Sequence, residues 1–339
     1  MEQEEMRMLR ENIDEFCTRN IADIALKIEN SGIPQDLVAK LAGQGFLGAR
    51  INPENGGSGL DEDSYRIVLE RTARSSPSVS MLIFLENSIF SPLYSHDGSA
   101  LREIASGTSR GTACIFDYLS GQEDSVEMKS GKAHGTVKYC LMPDSEYFLV
   151  PSDGSLYAVK GKPRQNPLPR LGFRGLGYSG LEFDGSDAEK ILENAHAMID
   201  EVIAAASKDI AEIAIGMAGA TIDKAMEYSR VRTTFGRPLK DYGPVAFNLS
   251  DLKSQIDEAR NLLYSASSDP LSIKIMAIEL ARKSSRLSLQ IHGGYGYLED
   301  FGVEKFYRDA MSLSVFFGTR GEDLKTLSKK MYGETAGII

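Results

Sequence analysis

The sequence predicts an α+β protein built from three consecutive regions. Residues 1–110 and 188–339 carry apolar residues at helical spacing, whereas residues 111–187 contain short runs rich in β-branched and aromatic residues. Gly, Ser, Pro and Asp, which are typical of turns, separate the runs of the middle region. We therefore expect an N-terminal α-helical domain, a small antiparallel β domain and a C-terminal helical bundle.

The N-terminal region begins with helical spacing of its apolar residues. These residues are Ile13, Phe16, Ile21, Ile24 and Ile28. A further helix is predicted from Pro34 to Gly45, and Asp61 is a predicted N-cap for the helix that follows it. The glycine-rich loop at 56–59 is interpreted as a tight turn, because the G-x-x-x-x-G-K-[ST] pattern of a P-loop is absent.

The middle and C-terminal regions differ in the spacing of their apolar residues along the sequence. The predicted strands are TACIFDY, GTVKYCLM, EYFLVP and SLYAVKG. From about Ala188 the apolar residues recur as on one helix face: Ile210, Ile213, Met217, Ile222 and Met226. Two more long helices and a short fourth are predicted, and the third long helix ends on the Gly293–Gly294 pair, which suits a C-cap. These helices predict a bundle.

Composition and charge argue against several classes of function. The net charge is −10 and Lys and Arg are scattered, so a nucleic-acid surface is not predicted. The first residues, MEQEEMRMLRENIDEF, lack the basic and apolar segments of a signal peptide, and no apolar run approaches the roughly 18 residues of a membrane span. We expect a cytoplasmic protein without a membrane partner.

Cysteine and histidine spacing does not predict a metal site. Cys17, Cys114 and Cys140 are far apart in sequence and form no C-x-x-C pair, and the four histidines form no H-E-x-x-H pattern. We interpret the cysteines as buried thiols, and no metal is expected.

Two segments of the last region carry the most specific motifs. YSRVRTTFGRPLKDYGPVAFNLSDL contains R-x-x-F-G at Arg232, Phe235 and Gly236, which alone is equally typical of a surface corner. QIHGGYGYLEDFGVEKFYRDA adds Gln290, the paired glycines, and a V-E-K segment leading to Arg-Asp. Both segments point to the same family.

With these motifs the chain resembles the acyl-CoA dehydrogenase family over essentially its whole length. GFLGARINPENGGSGL resembles the family's N-terminal signature, and LGFRGLGYSGLEFDG resembles the last strands of its middle domain. The resemblance implies an α-helical domain, a small antiparallel β-barrel and a four-helix bundle. It also implies FAD as cofactor, an acyl-CoA substrate, an electron-transfer protein as a further partner, and a homotetramer or homodimer.

The resemblance assigns cofactor contacts to particular residues. Arg232 would contact the FAD pyrophosphate and Phe235 its apolar parts, both reaching the FAD of a neighbouring subunit. The glycine pair would let backbone approach the adenosine end. Tyr139 would stack on the isoalloxazine ring, and Thr319 would lie beside the flavin. The full predicted set is Tyr139, Arg232, Thr234, Phe235, Gln290, Gly293, Gly294 and Thr319.

The sequence departs from the family at the catalytic base. Phe317 stands where the family's Y-E-G-T segment has its glutamate, and Ala206 occupies the alternative base position on the first bundle helix. Asp209, one turn further along, is the nearest acid by spacing, although a solvated first-turn aspartate is the simpler interpretation.

The cofactor motifs of the middle domain are also weak. The family's T-E-P-x-x-G-S-D is reduced to Phe116-Asp117 followed by residues 120–125, and Leu141 replaces a hydroxyl that would bond the flavin. In the bundle, Gly243 replaces a glutamine. Weaker FAD binding is therefore expected.

Three functions follow from this pattern. The first, favoured on sequence, is an FAD-dependent acyl-CoA dehydrogenase-like oxidoreductase acting on CH–CH groups of acyl thioesters, with Asp209 as the candidate base. The second is a non-catalytic subunit of a hetero-oligomer with a related dehydrogenase. The third is a flavin-dependent monooxygenase or oxidase in which Phe317 excludes water.

Overall fold

The computed structural model describes residues 3–94, 97–122 and 125–333. Two residues of the weak middle-domain motif, Glu123 and Asp124, lie outside the described residues. Across the described residues, no helix combines the length and apolar character needed to cross a membrane.

The N-terminal region is helical, as predicted. Its helices are α1 (Gln3–Asn20), α2 (Ala25–Ser31), α3 (Gln35–Gly43), α4 (Glu62–Ser75), α5 (Pro77–Phe84), α6 (Ser91–Leu93) and α7 (Gly98–Ala105). The predicted N-cap is confirmed, because the Asp61 carboxylate accepts a 2.7 Å hydrogen bond from the backbone N–H of Ser64. A Cβ at Gly57 would lie 2.0 Å from the backbone oxygen of Ile51, which supports the tight-turn interpretation.

A π-helical segment, Leu85–Phe90, joins α5 to α6 and is buried throughout. Its wider turns place six consecutive residues inside the protein rather than on its surface. Glu86 is among them and is fully buried.

The middle region forms one mixed sheet with a short helix, α8 (Phe116–Leu119). Its strands are β1 (Gly111–Ala113), β2 (Val126–Lys129), β3 (Lys132–Leu141), β4 (Tyr147–Ser152), β5 (Ser155–Lys160), β6 (Arg164–Pro167) and β7 (Tyr178–Leu192). The strand order is β1-β4-β5-β7-β3-β2, with β6 on β7. The expected boundary at residue 187 falls within β7.

The prediction of a small antiparallel barrel was wrong in one respect. β1 runs parallel to β4, with Gly111 opposite Tyr147 and Ala113 opposite Leu149, so the sheet is mixed. A parallel neighbour requires a crossover, and β1 reaches β4 past the β2–β3 hairpin. The predicted strand TACIFDY was also only partly right, because its second half turns into α8 and directs the Phe116 ring between the domains.

The C-terminal region is a helical bundle with a short hairpin. Its elements are α9 (Ala195–Ala205), α10 (Ser207–Val231), β8 (Thr233–Thr234), β9 (Arg237–Pro238), α11 (Gly243–Leu263), α12 (Pro270–His292), α13 (Gly294–Tyr297), α14 (Glu304–Phe316) and α15 (Arg320–Tyr332). The predicted C-cap is confirmed, because Gly293 ends α12 with a φ of 59°.

One apolar core extends through both helical regions, and a second lies within the sheet. All three cysteines are buried and free, as interpreted from sequence. Two of them meet in the sheet core, where the Sγ atoms of Cys114 and Cys140 lie 3.8 Å apart.

Candidate functional site

The position expected to hold the catalytic base is closed by aromatic packing. Phe317 follows the last residue of α14 and is 1% exposed. Its ring meets Phe84 edge-on, with centroids 5.1 Å apart, and lies 5.6 Å from the ring of Phe116. Its backbone oxygen accepts a 2.6 Å hydrogen bond from Lys274 Nζ. The residue is thus fixed by both its side chain and its backbone.

Phe317 belongs to an aromatic cluster that connects all three regions of the chain. The aromatic cluster consists of Phe84, Phe116, Phe173, Tyr178, Phe316 and Phe317. Centroid separations within it run from 5.1 to 6.2 Å, the range of favourable ring contacts. A phenyl ring cannot accept a proton, so this position does not supply a general base.

The candidate base Asp209 is engaged in a buried ion-pair network. Its side chain is 1% exposed, so the interpretation as a solvated first-turn residue was wrong. Oδ1 accepts from Arg66 Nε at 3.2 Å, and Oδ2 accepts from Ser88 Oγ at 2.9 Å and Arg50 Nη1 at 3.3 Å. Burial raises the pKa of Asp209, and the two guanidinium groups oppose that shift. These contacts join α10 to the N-terminal helices.

A cavity of about 600 Å3 lies against Phe317, between α9, α12 and α15. Ala204 and Ser207 contribute to its wall, whereas Ala206 and Asp209 do not. Neither the alternative base position nor its nearest acid therefore faces this cavity.

The acids that do line this cavity already have partners. Asp323 accepts a 2.9 Å hydrogen bond from Lys274, whose ammonium group is buried beneath Phe317. Burial raises the pKa of Asp323, and Lys274 opposes the shift. Asp200 accepts from the Tyr118 hydroxyl at 3.0 Å. Lys274 was not predicted as a site residue, although a lysine within the apolar run SIKIMAIEL is unusual enough to be noticed from sequence.

Four of the predicted cofactor residues lie together in a different place. Arg232, Thr234, Gly293 and Gly294 line a groove of about 380 Å3 between the β8–β9 hairpin and the end of α12. A Cβ at either glycine would meet no atom within 4 Å, so the groove is open there. Phe235 lies at the tip of the hairpin and is 97% exposed. We call this the Arg232 groove.

The floor of the Arg232 groove is aromatic. Tyr228 and His292 line it and stack on each other, with ring centroids 4.3 Å apart. His292 Nδ1 lies 2.8 Å from the backbone oxygen of Ser288, and burial lowers the pKa of His292. Burial therefore disfavours a positive charge on His292, and the two stacked rings give the groove an aromatic surface.

The other predicted cofactor residues do not join this groove. Gln290 lies exposed on the last turn of α12. Tyr139 stacks on Tyr178 at 6.1 Å and lines a separate groove beside β6. Thr319 is the N-cap of α15, where it forms a capping box with Glu322.

The described residues suit the FAD expected from the resemblance better at one end of this arrangement than at the other. The Arg232 groove offers a cation, open glycine backbone and an aromatic floor, which suit the ADP half. At the flavin end, Leu141 is fully buried in place of a hydroxyl, and the aromatic cluster packs beside Tyr139. Within the described residues, Leu141 thus supplies no hydroxyl to a flavin at this end.

Comparison with family models matches both helical regions. The model described as acyl-CoA dehydrogenase, N-terminal domain, matches residues 3–102, and that described as acyl-CoA dehydrogenase, C-terminal domain, matches residues 209–332. The intervening residues include the sheet, where the cofactor motifs were weak.

Curated relatives and solved structures extend over nearly the whole chain. A probable acyl-CoA dehydrogenase of Bacillus subtilis is 24% identical, covering 93% of this chain and 94% of its own length. The CarC subunit of the caffeyl-CoA reductase–Etf complex of Acetobacterium woodii is 24% identical, covering 93% and 95%. The structure of butyryl-CoA dehydrogenase from Megasphaera elsdenii superposes with a TM-score of 0.84 at 21% identity, over 96% and 97% of the two chains, and this likeness concerns the fold.

Proposed function

Because the chain belongs to the acyl-CoA dehydrogenase family, whose members are FAD flavoproteins, we propose that it is a subunit of an FAD-dependent oxidoreductase of acyl-CoA thioesters. In this proposal the chain contributes the Arg232 groove to FAD at a subunit boundary. A related partner chain supplies the catalytic base and completes the flavin site. The chain alone is not a competent dehydrogenase.

The observation that carries the proposal is the burial of Phe317 within the aromatic cluster. A positioned general base typically contributes ~10²–10⁴ in rate, or about 3–5 kcal/mol of barrier. Asp209 cannot act as the base in place of a residue at position 317 without breaking its contacts to Arg66 and Arg50. Breaking them would leave buried charged groups without a partner.

The exposure of apolar side chains near the Arg232 groove supports the subunit role. Four large apolar side chains around the Arg232 groove are more than 70% exposed: Val231, Phe235, Phe247 and Tyr297. Val231 and Phe235 flank Arg232 and Thr234 in the chain, and large exposed apolar side chains beside a ligand groove are typical of surfaces that a partner covers. We infer that a second subunit buries this face together with the ADP half of FAD.

A reductase–Etf complex among the relatives suggests the electron route of the assembly. We propose that an electron-transferring flavoprotein exchanges electrons with the FAD of the complete assembly, and that this chain carries no electrons by itself.

The cavity beside Phe317 favours a second candidate function. Its wall combines Ile203 and Leu271 with the charged group of Lys274, and its volume of about 600 Å3 suits a small organic ligand. In a self-contained enzyme this cavity would hold the thioester substrate. A monooxygenase or oxidase activity on the same scaffold stays a prediction that oxygen consumption with reduced flavin would test.

The absorbance spectrum between roughly 350 and 500 nm separates these candidates, because bound flavin has its own chromophore. The chain should be purified alone and, tagged, from its native source, with mass spectrometry of whatever co-purifies. We expect little flavin on the chain alone. The native complex should contain flavin and a family member with glutamate at the position of Phe317.

Anaerobic addition of an acyl-CoA panel completes the test. The complex should lose its oxidised flavin spectrum, whereas the chain alone, reconstituted with excess FAD, should not. A flavin-saturated chain that is bleached by acyl-CoA without any partner would overturn the subunit proposal and establish the self-contained enzyme.

A further inference from the structure

A cavity remote from the Arg232 groove is lined by three arginines. It measures about 350 Å3 and is bounded by the end of α2, the loop after β3 and the loop before β7. Arg110, Arg170 and Arg174 face it, and it shares no lining residue with the Arg232 groove. We call it the arginine cavity.

The charges around the arginine cavity are unbalanced. Asp144 is the one acid among its lining residues, and its Oδ1 already accepts a 2.9 Å hydrogen bond from Gln165. Arg174 has a long contact of 3.7 Å to Glu299. Within the described ranges, the guanidinium groups of Arg110 and Arg170 have no carboxylate oxygen within 4.0 Å, although the backbone N–H of Arg110 donates to Glu146 Oε2 at 2.8 Å. The lining of the cavity therefore holds three cations and one acid, while Glu29 acts on Arg170 from outside the lining.

Arg170 is the most constrained of the three cations. Its Nε is buried and has no hydrogen-bond acceptor within the described part of the chain, while Nη2 donates to the backbone oxygen of Arg174. Burial lowers the pKa of Arg170; the charge of Glu29 opposes this shift, and the charge of Arg174 adds to it. A guanidinium group held in this way has unused donors and gains from an anionic ligand.

Backbone geometry at the cavity favours close approach by a ligand. Gly32, Gly175 and Gly177 line it without side chains. Gly175 cannot be replaced without movement, since a Cβ there would lie 2.5 Å from Ile28 Cγ2. Ser145 lies at the same wall, but its hydroxyl already donates to the backbone oxygen of Met142, so the arginines are left as the donors for an anion.

We propose that the arginine cavity is a binding site for the phosphate group of a small phosphorylated ligand. Planar guanidinium forks match tetrahedral oxyanions with paired hydrogen bonds, and three of them can surround one phosphate. The volume restricts the ligand to a small molecule. The site is separate from the thioester chemistry, so it adds a second ligand to the protein.

Isothermal titration of the full chain with sodium pyrophosphate tests the site, with inorganic phosphate and malonate as further probes at matched ionic strength. We expect saturable binding of pyrophosphate and phosphate, and at least tenfold weaker binding of malonate. If the heat of injection depended only on ionic strength and showed no saturation with pyrophosphate, the proposal would be overturned. Malonate binding as tight as phosphate binding would overturn the phosphate assignment.

Matched arginine variants locate the site. R170Q and R110Q should each weaken pyrophosphate binding at least tenfold, and R170K should weaken it less than R170Q. R164Q is the control, because Arg164 is exposed on β6, pairs with Glu182 and does not line the cavity. Circular dichroism checks folding, and R110Q decides the outcome if R170Q does not fold. Unchanged affinity in a folded R110Q variant, or an equal loss in R164Q, would contradict the assignment.

Discussion

Two phenylalanines mark the contrast between the two ends of the expected cofactor site. Phe317 is 1% exposed inside the aromatic cluster, whereas Phe235 is 97% exposed at the rim of the Arg232 groove. At one end the position assigned to a catalytic carboxylate by the resemblance is packed in the core, and at the other a large apolar ring lies in water. Because the two ends contact different parts of the chain, we expect substitutions to affect mainly stability at the first end and mainly ligand binding at the second.

The difference also explains why the fold has survived. The aromatic cluster joins α5, α8, the sheet and α14 through ring contacts that need no carboxylate. The Arg232 groove contributes little to the core, since its hairpin and glycines are exposed. The cluster should therefore control stability, and the groove should control cofactor binding.

Substitution of Phe317 by alanine should give the largest effect on stability. Removing a fully buried ring costs about 3–5 kcal/mol, because the space it leaves is only partly refilled. Urea unfolding at an unchanged m-value measures the loss. V315A, two residues earlier and 58% exposed, is the control and should change stability by less than about 0.5 kcal/mol. A loss below about 1 kcal/mol for F317A would contradict the structural role of the cluster.

Glu86, which is fully buried in the Leu85–Phe90 segment, allows a second test of the buried part of the molecule. Burial raises the pKa of Glu86 from 4.5 to about 8, with Arg110 opposing the shift. The folded chain thus keeps a proton that the unfolded chain has released. The stabilisation that comes from the protonated Glu86 side chain is fully present below pH 4.5. It falls as the pH rises from 4.5 to about 8, by at most ~1.4 kcal/mol per pH unit.

Glu86→Gln should therefore raise the free energy of unfolding at pH 7 by up to about 3 kcal/mol and flatten its pH dependence above pH 5. Denaturant unfolding between pH 5 and 8 measures both effects. The exposed Glu258→Gln serves as control and should change neither by more than about 0.5 kcal/mol. If the free energy of unfolding of Glu86→Gln still fell with pH as in the unsubstituted chain, a group other than Glu86 would be responsible for the pH dependence.

Local features made the helices and their ends predictable from sequence. Asp61 and Gly293 contact backbone groups close to them in sequence. The N-cap of α4 and the C-cap of α12 were therefore predicted correctly. The parallel pairing of β1 with β4 depends on a crossover between distant segments. The α8 turn depends on partners of Phe116 some 200 residues away, roughly the separation to Phe317.

The same distinction applies to the site. The motif residues Arg232, Thr234, Gly293 and Gly294 line one groove because two adjacent helix ends carry them. Asp209 was expected in water, but Arg66 neutralises it from 143 positions earlier in the chain, and no local pattern reports such a pairing. Tertiary partners decided the environment of each residue that the sequence placed wrongly.

On the exposed side of the comparison, Arg232→Gln should weaken FAD retention by about 10- to 100-fold, because a charge-assisted hydrogen bond is worth about 1.5–3 kcal/mol. Fluorescence titration of the apo form of the native complex measures the dissociation constant. Stability should not change, since Arg232 is exposed. R237Q, on the same hairpin with its guanidinium over the Tyr242 ring, is the matched control. Equal losses in both variants would indicate a general effect of charge.

Thr319 gives the smallest expected effect and separates the two regions most clearly. The resemblance assigns this residue to the flavin, but its backbone N–H donates to Glu322 Oε2 at 2.7 Å and its hydroxyl caps α15. T319A should thus cost about 1 kcal/mol of stability through loss of the cap, with FAD affinity of the native complex unchanged. T326A, in an exposed position of the same helix, should instead be neutral or slightly stabilising because alanine favours the helix. A T319A variant of unchanged stability but tenfold weaker FAD binding would place this end of the chain at the flavin after all, and the contrast between the two ends would fail.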